Sequence, residues 1–208
     1  MGADLRTTRL RRPSAAGFTL AELMIVIAII GVLAALAVTG VHQYLQEAKT
    51  SEARQCVGAI ARGAHAAFER ETAQAEGLAE GSQSTTVSHR LCDSAIPVPA
   101  FVPFLKKYQP NTQDGTDFDT GTTTGGWKCV GFNVAHPIYY QYWYTKDSSP
   151  VAPDNPAACN ADCYEAGARG DILPEQNIYS RYAMTGHVNP VTGQLKRATQ
   201  LYVFAPPQ

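Results

Sequence analysis

Polarity changes character three times along the chain. From Phe18 to Val38 apolar residues follow one another with only Thr19 and Glu22 as polar interruptions. Those 21 residues, at about 1.5 Å each, form a helix of ~30 Å, long enough to cross the hydrocarbon core of a bilayer. A carboxylate inside such a span costs about 2.5–3.5 kcal/mol at its centre and less near an end, so Glu22 needs a physical reason to be there. After Val38 the helical period continues. Val41, Tyr44, Leu45, Ala48, Ala53, Val57, Ile60, Ala64 and Phe68 recur at steps of three and four, while Glu47, Lys49, Glu52, Arg54, Arg62, Glu69 and Arg70 fall off the stripe. The pattern predicts one helix from about Phe18 to about Ala73. Its second half is amphipathic and packs one face on a soluble head, and Gly77 and Gly81 supply the stop.

The third regime is different. Residues 82–126 are rich in Pro, Thr, Gly, Asp and Ser and read as a connecting region. Beyond it "KCVGFNV", "PIYYQYWYT", "NIYSRYAMTGHV" and "LKRATQLYVFA" are β-branched and aromatic runs bounded by turn residues, which predicts an antiparallel sheet of about four strands. The fold class is α+β. Its segments are a leader at 1–17, an apolar half-helix at 18–38, an amphipathic half-helix at 39–76, the connection at 77–126, and the sheet with a disulfide loop at 127–208. Tyr139, Tyr140, Tyr142, Trp143 and Tyr144 could form a stacking platform for sugars or nucleic acid. A strand has two faces, however, so about half of these rings must enter the core. Lys146 is the nearest cation on that segment, and no nucleic-acid partner is expected.

Charge adds a direction. The 208 residues carry a formal net charge of −1, which excludes a generally polyanion-binding chain, but Arg6, Arg9, Arg11 and Arg12 crowd ahead of the apolar run against Asp4. That bias holds the N-terminus in the cytoplasm and places everything after the run on the far side, where cysteines oxidise. Of the five cysteines, Cys159 and Cys163 are close enough to staple one loop, and Cys92 and Cys129 bracket the connecting region. Cys56 is left on the apolar stripe as a free thiol. Zinc at Cys159 and Cys163 lacks a matching His or Cys pair, and calcium near Asp171, Glu175 and Asn177 lacks an ordered run of alternating ligands, so no metal and no cofactor is expected. Arg169-Gly170-Asp171 is a chance triplet. The histidines His42, His65, His89, His136 and His187 are scattered outside any nucleophile or metal motif, and no enzyme is expected.

Three accounts of the first 38 residues compete. A secretory signal would end at a small-x-small site such as Ala35-Leu36-Ala37, leaving a soluble secreted domain, yet the apolar core is long for a signal and the helical pattern runs past the cut. A plain anchor leaves Glu22 unexplained. The third account follows from Gly17-Phe18-Thr19-Leu20-Ala21-Glu22-Leu23-Met24 and the apolar run to Ala35, which resembles the prepilin signature of the type IV pilin and pseudopilin family. The resemblance implies cleavage after Gly17 by a prepilin peptidase that also methylates Phe18, with the helix retained. Outside the helix it rests on "GWKCVGF" and "YYQYWY", and Thr39-Gly40 stands where many major pilins carry a proline.

What the resemblance implies about function is a structural subunit of a surface pilus serving adhesion or motility. Minor pilin and type II secretion pseudopilin are the alternatives. Its partners are other subunits, the peptidase, the inner-membrane assembly platform and, before assembly, lipid. The subunit waits in the inner membrane with its N-terminus cytoplasmic and then joins an extracellular filament. Glu22 gains a role there: the new α-amine at Phe18 lies about 6 Å away along the helix, and a carboxylate that finds its cation only in correct stagger sets the register of an apolar filament core.

Overall fold

The computed structural model describes residues 17–70, 72–73, 87–155, 158–171 and 179–204. The chain divides into two compact units, Met1–Tyr44 and Leu45–Gln208. Helix α1, Leu20–Phe68, contributes to both. In the first unit every described side chain of α1 up to Val41 whose burial is defined lies exposed, aliphatic residues included. That stretch is long and apolar enough to cross a membrane.

In the second unit the periodic stripe is buried: Ala53, Val57, Ile60, Ala61 and Ala64 are fully enclosed. The helix ends at Phe68, short of the Ala73 expected, because Thr72–Ala73 (β1) pairs with Val87–Ser88 (β2) as a small antiparallel ladder. Gly77 and Gly81 lie outside the described residues.

The stripe packs with a six-stranded antiparallel sheet. Its strands are β3 Ala95–Val98, β4 Gln141–Lys146, β5 Cys163–Gly170, β6 Ser180–Val188, β7 Leu195–Arg197 and β8 Tyr202–Phe204. They lie in the order β3-β4-β5-β6-β7, and β8 also pairs with β6 beside β7's stretch of it. The layout is the expected α+β arrangement, and three details correct the strand assignments. Lys128–Val134 is not a strand. Its first half belongs to a short helix α2, Gly126–Val130, closed by Gly131 in the left-handed region (φ 69°), whose N–H donates to the Trp127 carbonyl. Residues 195–205 hold two short strands, since both β7 and β8 find free ladder groups along the nine-residue β6.

The third correction is β5, which sequence assigns to a disulfide loop and the fold places at the sheet's centre. Its Ala- and Gly-rich run CYEAGARG has weak strand propensity. Burial explains it. The rings of Tyr140, Tyr142, Tyr144 and Tyr182 are enclosed together with β5's own Tyr164, and they fill the layer that the small β5 residues Ala166 and Ala168 leave open. A Cβ on Gly186 of β6 would stand 2.3 Å from the Tyr164 ring, so only glycine fits there.

Alternation along β4 decides the aromatic cluster. Tyr140, Tyr142 and Tyr144 face α1, whereas Trp143 points the other way, where Arg169 stacks on it at 4.7 Å. Hydrogen bonds fix the height of the sheet on the helix. Glu52 Oε1 accepts from the Tyr139 N–H (2.9 Å) and the Tyr142 hydroxyl (3.2 Å), and the Tyr164 hydroxyl donates to the Ala61 carbonyl (3.2 Å).

Candidate functional site

The candidate site begins at the first turn of α1. Gly17, Phe18 and Thr19 lie ahead of the helix and are exposed. The helix then starts at Leu20 with a reciprocal pair of bonds. The Glu22 N–H donates to Thr19 Oγ1 (3.2 Å), and the Thr19 N–H donates to Glu22 Oε2 (2.8 Å). This is a capping box, in which two of the orphan donors of a helix start are satisfied by each other's side chains. The Thr19 hydroxyl also donates to Glu22 Oε2 at 2.8 Å.

Glu22 therefore has work in the isolated chain. It caps the helix, and its negative charge stands at the positive end of the helix dipole. The reading of Glu22 as unexplained in a lone span overlooks Thr19, although Thr19-x-x-Glu22 is itself the sequence pattern of a capping box. Among the described residues, both bonds to the carboxylate fall on Oε2.

Two disulfides shape the second unit. Cys92–Cys129 joins the segment before β3 to α2, and Cys159–Cys163 closes a turn at the start of β5. Around the first, the Arg70 guanidinium donates to the Cys129 carbonyl, and Trp127 Nε1 donates to the Ile96 carbonyl at 2.8 Å. Cys56 is free and partly buried on α1. Burial pushes its thiol up, which suppresses the reactive thiolate.

Asp147, Cys159 and Cys163 bring three ligand-type atoms within 4.8 Å of one another. The two sulfurs are bonded to each other, and Asp147 Oδ1 accepts from the Cys163 N–H at 3.1 Å, so the group holds a loop together. Asp171 is buried, and its carbonyl accepts from the Leu105 N–H (3.2 Å). Glu175 and Asn177 lie outside the described residues. Arg169 is engaged inside the sheet: its Nε donates to Gln141 Oε1 at 2.8 Å.

Fold and N-terminal geometry together define a protein class: an α+β unit on a long helix whose opening stretch is apolar on every side and capped by Thr19 and Glu22. Residues 12–38 match the family model described as the prokaryotic N-terminal methylation motif, the signature of type IV pilin and pseudopilin precursors. The chain matches no curated protein and no solved structure.

Proposed function

We propose that the chain is the precursor of a type IV pilus subunit. Prepilin peptidase removes residues 1–17, methylates Phe18, and leaves a subunit that waits in the inner membrane with its N-terminus cytoplasmic. Residues 18–38 are then the segment through which subunits pack into a surface filament. The observation that carries this reading is the methylation motif placed on a capped helix start, followed by a span-length apolar stretch that no described residue covers. An uncovered aliphatic cylinder is stable only in lipid or among other such cylinders, and the proposed life history supplies both. The partners of this reading are lipid, the peptidase, the assembly platform and further copies of the subunit.

The two disulfides also suit a surface filament, since such bonds form and persist in an oxidising exterior, where with the six-stranded sheet they brace a unit as large as Leu45–Gln208. Minor pilin or type II secretion pseudopilin is the second reading. Sheared surface filaments separate the two, because a major pilin is their bulk component. The processing claim is tested by mass spectrometry of the mature protein: the expected N-terminal peptide starts at a methylated Phe18, and any other start overturns it.

A further inference from the structure

One end of the sheet carries a feature that filament packing through α1 does not use. The end of β3, the start of β4, the end of β5 and the start of β6 are neighbours, as the pairs Val98–Tyr142, Gln141–Arg169 and Gly170–Ser180 show. This end lies beside Glu52, whereas further along the sheet Tyr164 reaches Ala61, so it is the end at which α1 enters the Leu45–Gln208 unit. The loop 99–108 leaves β3 here and is held by the Phe104–Asp171 and Tyr108–Ile138 bridges. Phe101 on this loop is 87% exposed, and Phe104 and Leu105 are exposed beside it. Phe101 and Phe104, with Pro99, Val102 and Pro103, border a cavity of about 440 Å³.

Cations surround this apolar tip. Lys107 Nζ and Lys49 Nζ lie 4.8 and 5.0 Å from the centre of the Tyr139 ring, and Lys106 is exposed next to Lys107. None of the three lysines joins an ion pair among the described residues. Two acids on this surface are already engaged. Glu52 accepts from Tyr139 and Tyr142, and Asp117 accepts from the Tyr108 hydroxyl (2.8 Å) and the Asn111 N–H (2.6 Å). An exposed aromatic and aliphatic tip flanked by unpaired lysines matches the interface of an anionic bilayer, where rings sink to the headgroup level and ammonium groups meet lipid phosphates. Leu45, at the start of this unit, follows Val38 by only seven residues of chain.

We infer that loop 99–108, with Lys49, docks on the anionic surface of the membrane in which α1 is anchored, holding the unassembled subunit at the bilayer until assembly releases it. The inference rests on the membrane-anchored precursor proposed above. The test uses the full chain in vesicles of about one-third phosphatidylglycerol, with brominated phosphatidylcholine as quencher and Phe101→Trp as reporter against the native tryptophans. Flotation reads anchoring separately from docking.

In floated vesicles the Phe101→Trp protein should lose about twofold more fluorescence than its parent. Omitting phosphatidylglycerol, or adding Lys106→Glu with Lys107→Glu, should abolish that difference while flotation is unchanged. Quenching equal to the parent's in floated vesicles overturns the docking alone. Quenching that ignores lipid charge and follows protein density overturns it in favour of contact with a second copy. Failure to float overturns the anchored precursor and the docking with it.

Discussion

At the scale of single residues, Glu22 and Glu165 are carboxylates placed against apolar surroundings for different reasons. Glu22 combines a hydrogen-bonding role with a charge, and the two separate by substitution. Gln at the same position keeps the capping box and loses the charge, whereas Ala loses both. Loss of the cap alone costs about 1 kcal/mol at the helix start. If the charge sets filament register, removing it strands the Phe18 amine in the core at ~3–5 kcal/mol per subunit, so Glu22→Gln and Glu22→Ala should both be cleaved normally and both be missing from sheared filaments. Filament yield at the wild-type level for Glu22→Gln would reduce Glu22 to a cap. Glu165 is fully buried and accepts the N–H groups of Val151 (2.8 Å) and Ala152 (3.3 Å), with burial pushing its carboxyl up. The folded chain thus holds this proton more tightly than the unfolded one, and its contribution to stability falls as pH rises above about 4.3 towards the raised folded value. Urea unfolding in detergent at a series of pH values should show that slope flattened in Glu165→Gln. Glu165→Ala should lose about 1–3 kcal/mol for each N–H left unpaired.

Elements here are matched by size as much as by propensity. From Ala166 to Gly170 β5 contributes small side chains beside the rings of β4, whereas at its start the ring of Tyr164 sits on β5 and Gly186 of β6 is the small partner. Adding the single methyl of Gly186→Ala forces that ring aside and should cost about 1–3 kcal/mol in thermal unfolding. A methyl on Gly63 of α1 would stand 2.2 Å from the Val130 carbonyl, so Gly63→Ala should separate α1 from α2 at comparable or greater cost. The enclosed rings also set the alkaline limit. Burial pushes the phenols of Tyr140, Tyr142 and Tyr144 far up and that of Tyr164 up to about 12. These phenols stay protonated when folded, so stability should fall as pH rises beyond the unfolded value of about 10. Absorbance of phenolate should accordingly rise in two stages, exposed tyrosines first and the core group only together with loss of the folded signal.

For the whole molecule, covalent links and compartment act together. Cys92 and Cys129, 37 positions apart, constrain the unfolded chain by roughly 3–4 kcal/mol in the loop-entropy description, so the Cys92→Ser/Cys129→Ser double variant should unfold that much more readily. In the unreduced protein the described thiol is Cys56, and its raised pKa predicts slow alkylation near neutral pH that accelerates on unfolding. Peptide mapping that finds Cys56 in a disulfide overturns both statements.

Much of this was legible in the chain itself, for local reasons. The eight residues Gly17 to Met24 fall within the matched methylation motif at 12–38, legible because the motif is one short contiguous stretch. The span is a sum over consecutive side chains, and the buried stripe of α1 repeats within one helical turn. Cysteine spacing narrowed the pairings because short closures dominate. Tertiary packing decided the rest. The central place of β5 depends on tyrosines brought to it from β4, far along the chain, and α2 exists where Gly131 turns and Trp127 finds the Ile96 carbonyl. The surface of loop 99–108 depends on four strand ends meeting beside Glu52, because the lysines and phenylalanines that share it come from segments without a common period.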